Sequence, residues 1–132
     1  MFLRRAVQAA LTLCLSQQEV PYTETAIEPF NLRLAYTPLA IAQPTTVQHL
    51  EKAVVCAAAS DVKVNARSGG HGYISTGLGG ENGHLIVDMS SFDRITVDDG
   101  GFAHVGTGAR LGEVAVELNK HGRALSHGSC PG

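Results

Sequence analysis

All fifteen glycines of this 132-residue chain lie at Gly69 or beyond. The first half can therefore build regular elements, whereas the second repeatedly asks the backbone for left-handed turns or close approach to a ligand. The organisation shifts at Arg67. No repeat, charge block or low-complexity linker divides the chain, so one domain or subdomain is expected. With 44% hydrophobic residues it can bury one core of ordinary size. A net charge of −2 leaves no electrostatic footprint for nucleic acid or an anionic membrane.

The pattern alternates helices and strands and reads as α+β. Leu3, Val7, Ala10, Leu11 and Cys14 fall at helical spacing, with Arg4, Gln8 and Thr12 off the stripe. The same stretch has the basic flank and short apolar run of a secretion signal, and both readings stand at this point. Pro44-Thr45-Thr46 opens a second helix, in which Thr45 and Gln48 have capping-box spacing. Val47, Leu50, Val54, Ala57 and Ala58 share its face, and it ends near Ser60-Asp61. Val62 to Ala66 alternates as a short strand that delivers Arg67, and Leu85-Ile86-Val87-Asp88 reads as a buried strand. Arg94 to Val97 and Phe102 to Val105 flank Asp98-Asp99-Gly100-Gly101 as a hairpin. A last helix carries Leu111, Val114, Ala115 and Leu118 on one face and stops at Gly122.

Two glycine segments offer chemistry. In Ser68-Gly69-Gly70-His71-Gly72-Tyr73, successive N–H groups without bulky Cβ atoms can converge on an anion such as a pyrophosphate. No Gly-Lys-Ser/Thr follows, and the third glycine of a dinucleotide fingerprint is missing. Gly106-Thr107-Gly108 has the same defect and precedes the final helix. Cys14, Cys56 and Cys130 are too few and too scattered for a disulfide framework, and the odd count leaves at least one thiol without a partner within the chain. No CxxC pair suggests zinc. His127 and Cys130 have a metal-like spacing but no second close pair to complete a ligand set, so no metal is expected. His84, His104 and His121 read as strand, hairpin and helix-surface residues.

The conjunction is more specific than its parts. Arg67-Ser68-Gly69-Gly70-His71-Gly72-Tyr73, Gly79-Gly80-Glu81-Asn82-Gly83-His84-Leu85, Gly106-Thr107-Gly108-Ala109-Arg110-Leu111-Gly112 and His127-Gly128-Ser129-Cys130-Pro131-Gly132 follow one another in the order and approximate spacing of FAD-linked oxidases. The chain resembles the N-terminal part of the FAD-binding domain of the vanillyl-alcohol oxidase and p-cresol methylhydroxylase (PCMH) type. Among such proteins it is most similar to the berberine bridge enzymes and the fungal glucooligosaccharide and chitooligosaccharide oxidases. The resemblance places an N-terminal helix and lead-in at residues 1–35 and a PCMH-type domain, truncated at its C-terminal end, at residues 36–132.

That resemblance implies FAD tethered at two points, through His71 at the 8α carbon and Cys130 at C6 of the isoalloxazine. Arg67, Ser68, Gly69, Gly70 and Gly72 match the loop along the pyrophosphate, and Gly106, Gly108 and Ser129 match contacts further along the cofactor. Gly72 stands where a serine is common, which removes one hydroxyl donor. Imidazole and thiolate suit the role because both are nucleophiles able to add to an electron-poor ring. The implied parent enzyme oxidises a small-molecule alcohol, with an oligosaccharide as the expected substrate and molecular oxygen as acceptor, and is secreted. Its catalytic base is expected beyond Gly132, so the chain alone is expected to be inactive. An alkaloid- or phenol-oxidising relative and a noncatalytic truncated fragment are the alternatives.

Overall fold

The computed structural model describes residues 2–25 and 27–129. Its elements are, in chain order, α1 (Phe2–Gln17), β1 (Tyr22–Thr23), β2 (Ala40–Ala42), α2 (Val47–Ala59), β3 (Val64–Arg67), a 3₁₀ turn at Thr76–Leu78, β4 (Leu85–Asp88), β5 (Ile95–Val97), β6 (Ala103–Val105) and α3 (Leu111–Lys120). The fold is α+β, as the sequence pattern implied.

One sheet runs in the order β1-β2-β4-β3, and β5 and β6 form a separate two-stranded ribbon. β4 pairs in parallel with both β2 and β3, while β1 adds antiparallel to β2. Every residue of β4 is buried. A central strand in parallel pairing is covered on both faces, and a continuous apolar run such as Leu85-Ile86-Val87 is what that position requires.

Helices α1 and α2 cover one face. Leu11 and Leu15 of α1 and Ala53, Cys56 and Ala57 of α2 pack with Ala40, Ala42, Leu85 and Val87 of the sheet. A disulfide joins Cys14 to Cys56 and ties the two helices together. One bond is not a framework and agrees with an odd cysteine count, but a pair 42 residues apart carries no spacing motif that could have named it. Off the stripe, Arg4 and Gln8 donate to the carbonyls of Thr37 and Leu39 and moor α1 to the approach to β2. Residues 2–17 are thus a core helix, which favours the amphipathic reading over the signal reading for this segment.

The apolar stripes are narrower than the pattern suggested. Leu3 and Ala10 of α1 are exposed, as are Val47, Val54 and Ala58 of α2. The α2 face that meets the sheet is rotated toward Ala53 and Cys56, because close packing beside a disulfide admits small residues and leaves the valines outside. The cap is Thr46, whose hydroxyl accepts from the His49 N–H at 3.1 Å, and not Thr45. Strands β1 and β2, of two and three residues, escaped the sequence reading because so short a run shows no alternation. The β5–β6 hairpin follows expectation, with Ile95 opposite Val105 and Gly101 at φ +84°. So does the stop of α3 at Gly122, with φ +64°. No helix among the described residues is long and apolar enough to cross a membrane.

Candidate functional site

The face of the sheet away from the helices carries the site. Strand alternation sends Asn65 and Arg67 of β3 to one side, and their register partners on β4 are Ile86 and Asp88. The guanidinium of Arg67 pairs with the Asp88 carboxylate at 3.3 Å, both side chains largely buried. The glycine loop then folds back onto this pair. Gly70 has φ +76°, and a Cβ there would lie 2.7 Å from Nη2 of Arg67. Left-handed backbone favours glycine, and a side chain here would also have to displace the Arg67 guanidinium.

The loop is fastened from the second glycine segment. The Ser68 hydroxyl donates to the Thr107 carbonyl, and Nη1 of Arg110 donates to the Gly69 carbonyl at 3.4 Å. Gly106 and Gly108 themselves serve the framework. Their N–H groups donate to the carbonyls of Arg94 and Phe92, and Cβ atoms there would collide with the carbonyl oxygens of Phe92 and Met89. Glu113 accepts from the Arg110 N–H at 2.8 Å and starts α3 just beyond.

His71 projects into solvent at the tip of the loop, its ring stacked on Phe30. Phe30 also meets Tyr73, with ring centroids 5.6 Å apart, and the Asn31 amide donates to the Tyr73 carbonyl at 2.7 Å. The lead-in therefore reaches across to hold the loop. Neither Phe30 nor Asn31 was predicted, because nothing local in the sequence marks a contact between residues so far apart. The N–H groups of Gly69, Gly70, His71 and Gly72 donate to no described residue. Backbone donors left without a described partner on a glycine loop are the groups that a pyrophosphate would need, so the chemistry of these residues is compatible with a dinucleotide.

Behind the loop sits a second polar cluster. His84, buried just before β4, bonds Asn65 through Nδ1 at 2.7 Å and Glu81 through Nε2 at 2.8 Å. Lys63 donates to the same Glu81 oxygen at 2.6 Å. The hydrogen bond and charge of Lys63, followed by the bond from His84, hold the Glu81 carboxyl down to about 2. The plain strand role expected for His84 is thereby replaced by a bridge between sheet and loop. Its signal was the Gly-Glu-Asn-Gly-His run, whose turn brings Glu81 back under the imidazole.

A family model described as an FAD binding domain matches residues 38–131. The chain belongs to that FAD-binding family. A carbohydrate oxidase of Microdochium nivale is 50% identical to it, covering 98% of this chain and 27% of the relative. Among solved structures, the xylooligosaccharide oxidase of Myceliophthora thermophila C1 in complex with xylobiose aligns with a TM-score of 0.85 at 47% identity, over 92% of this chain and 28% of that one. The glucooligosaccharide oxidase of Acremonium strictum, described as carrying a 6-S-cysteinyl, 8α-N1-histidyl FAD, aligns with a TM-score of 0.83 at 40% identity, over 90% of this chain and 27% of that one. The chain spans about a quarter of the length of the curated relatives it matches.

Within this FAD-binding domain, the fold gathers Arg67 through Gly72 with Gly106 and Gly108 at one end of β3. Arg67 lies beneath the loop as its brace. Ser129 is exposed at the end of the described chain, and Cys130 falls outside the described residues.

Proposed function

We propose that this chain is the flavin-binding part of an oligosaccharide oxidase, with FAD attached covalently through His71 and Cys130. The free N–H groups of residues 69–72 support this reading most directly, since they give a pyrophosphate a place to sit next to the exposed imidazole. The xylooligosaccharide oxidase and carbohydrate oxidase among its relatives support the substrate class, an oligosaccharide.

Residues 69–72 would hold FAD by its diphosphate, and the bound flavin would supply the redox chemistry that an alcohol oxidation needs. The chain's own residues bind and orient. The cradle fixes the diphosphate, and Arg67 with Asp88 keeps the loop from sinking onto the sheet. Phe30 stacks on the His71 ring and favours one orientation of the imidazole that would be joined to the flavin. The Cys14–Cys56 disulfide supports an oxidising compartment and hence secretion.

The test is purification of the full-length protein, acid precipitation, and assay with a panel of oligosaccharides. Yellow precipitated protein and sugar-dependent peroxide formation are expected. Colourless protein, or flavoprotein inert toward every sugar but active on a phenol or alkaloid, would overturn the reading.

A further inference from the structure

We propose that Arg110 supplies the counter-charge for the diphosphate of the cofactor, a binding role that rests on the flavin reading of the site and adds to it a residue at the start of α3.

Two guanidinium groups close on one pair of glycines. Arg67 lies under Gly70, where a Cβ would stand 2.7 Å from its Nη2, and Arg110 lies against Gly69, where a Cβ would stand 3.1 Å from its Nη1. Without side chains at either position, both cations pack against loop backbone, next to the N–H groups of residues 69–72 that donate to no described residue. Backbone donors and positive charge thus meet on the same short stretch. An anion is the ligand that both favour.

The two cations differ in what they have left to give. Arg67 is bonded to Asp88 at 3.3 Å, and Glu28 lines with it the small cavity below Gly70. Its charge is spent within the protein. Arg110 has no carboxylate partner among the described residues, whereas Lys63 is held by Glu81 and Lys120 by Glu117. Its described side-chain contact is the Gly69 carbonyl at 3.4 Å, which leaves most N–H donors of the guanidinium unused. Glu113 turns Oε2 to the backbone N–H of Arg110 at 2.8 Å. Asp93 and Glu113 share with Arg110 the groove between β5 and α3, and neither is paired with its guanidinium. A diphosphate held by neutral backbone donors alone keeps its full negative charge. A guanidinium at the edge of the loop offsets part of it, through charge-assisted bonds roughly twice as strong as neutral ones.

The experiment compares wild type, Arg110→Gln and Arg110→Lys in the full-length, flavin-loaded protein. Gln keeps a donor for the Gly69 carbonyl and removes the charge, whereas Lys keeps the charge and removes the fork. Phosphorus NMR of the bound FAD reads the diphosphate directly. Arg110→Gln should displace at least one diphosphate resonance, and by clearly more than Arg110→Lys does. Resonances of Arg110→Gln that coincide with those of wild type overturn the proposal, as do equal displacements in the two variants, which would make Arg110 a clasp for the shape of the loop. If Arg110→Gln is recovered without flavin, Arg110→Lys decides: loading like wild type supports the charge, and an equally empty protein overturns it. Wild-type protein without flavin would overturn the flavin reading itself, whereas bound flavin whose diphosphate ignores the charge at residue 110 overturns only this inference.

Discussion

The ring of Phe30 lies almost parallel to that of His71, their centroids 5.2 Å apart and their planes 17° from each other. Such a pair contributes roughly 0.5–1.5 kcal/mol, enough to favour one orientation of the histidine by a factor of about ten at most. Phe30→Ala should therefore reduce attachment at His71 without abolishing FAD binding. In a full-length Cys130→Ala background, the fraction of flavin left in the acid-precipitated pellet should fall several-fold.

Replacing Gly70 by Val should empty the site. The native φ of +76° costs an L-residue about 1–2 kcal/mol, more for a β-branched one, and the new Cβ meets the Arg67 guanidinium at 2.7 Å. Relief requires Arg67 to leave Asp88. The ratio of flavin to protein in the purified full-length variant should drop to near zero, with folding intact by far-UV circular dichroism.

The two tethers can be separated. His71→Ala or Cys130→Ala alone should leave flavin attached through the other residue, and only the double variant should release it on denaturation. Flavin fluorescence of pellet and supernatant reads the outcome. Complete release from His71→Ala alone would show that Cys130 carries no bond.

Opening the Cys14–Cys56 bond should loosen the helical face of the sheet. A cross-link between residues 42 apart stabilises the folded chain by about 4 kcal/mol in the chain-entropy model, and measured losses run from about 2 to 5 kcal/mol. Cys14→Ser in the full-length protein should lower the thermal midpoint by several degrees. Reductant should do the same to wild type and nothing further to the variant.

Ser75 stands in the left-handed region at φ 54°, and its buried hydroxyl has no partner among the described residues. Ser75→Gly removes both costs and should raise stability by about 1–2 kcal/mol, read from denaturant midpoints with unchanged slope.

What could be read from the chain in advance was what its neighbours in sequence determine. Leu85 to Asp88 announced a buried strand because four adjacent residues share one environment. The hairpin around Gly101 declared itself because turn and strands are contiguous. The first helix was visible as a stripe, but which of its members touch the sheet depended on α2, whose orientation depends in turn on Cys56. The candidate site divides in the same way. Arg67 to Gly72 could be nominated as a unit, whereas Phe30, Asn31 and the His84 bridge are products of chain reversal. A Cβ on Gly106 or Gly108 would collide with the backbone of residues 89–94, a reason for glycine that pattern alone does not separate from contact with a ligand.

Strand order also dictates a sequence of assembly. β4 lies between β2 and β3 yet follows both in the chain, so the two earlier strands have only a gap between them until it arrives. The loop that would hold the cofactor is strung between β3 and β4, with one brace, Arg67, on the earlier strand and the other, Asp88, on the later. A nascent chain that has emerged only as far as residue 84 has every glycine of the cradle but no surface to hold it. Recruitment of the nucleotide is thereby placed after closure of the sheet, and a lesion in β4 would surface first as a failure of cofactor loading.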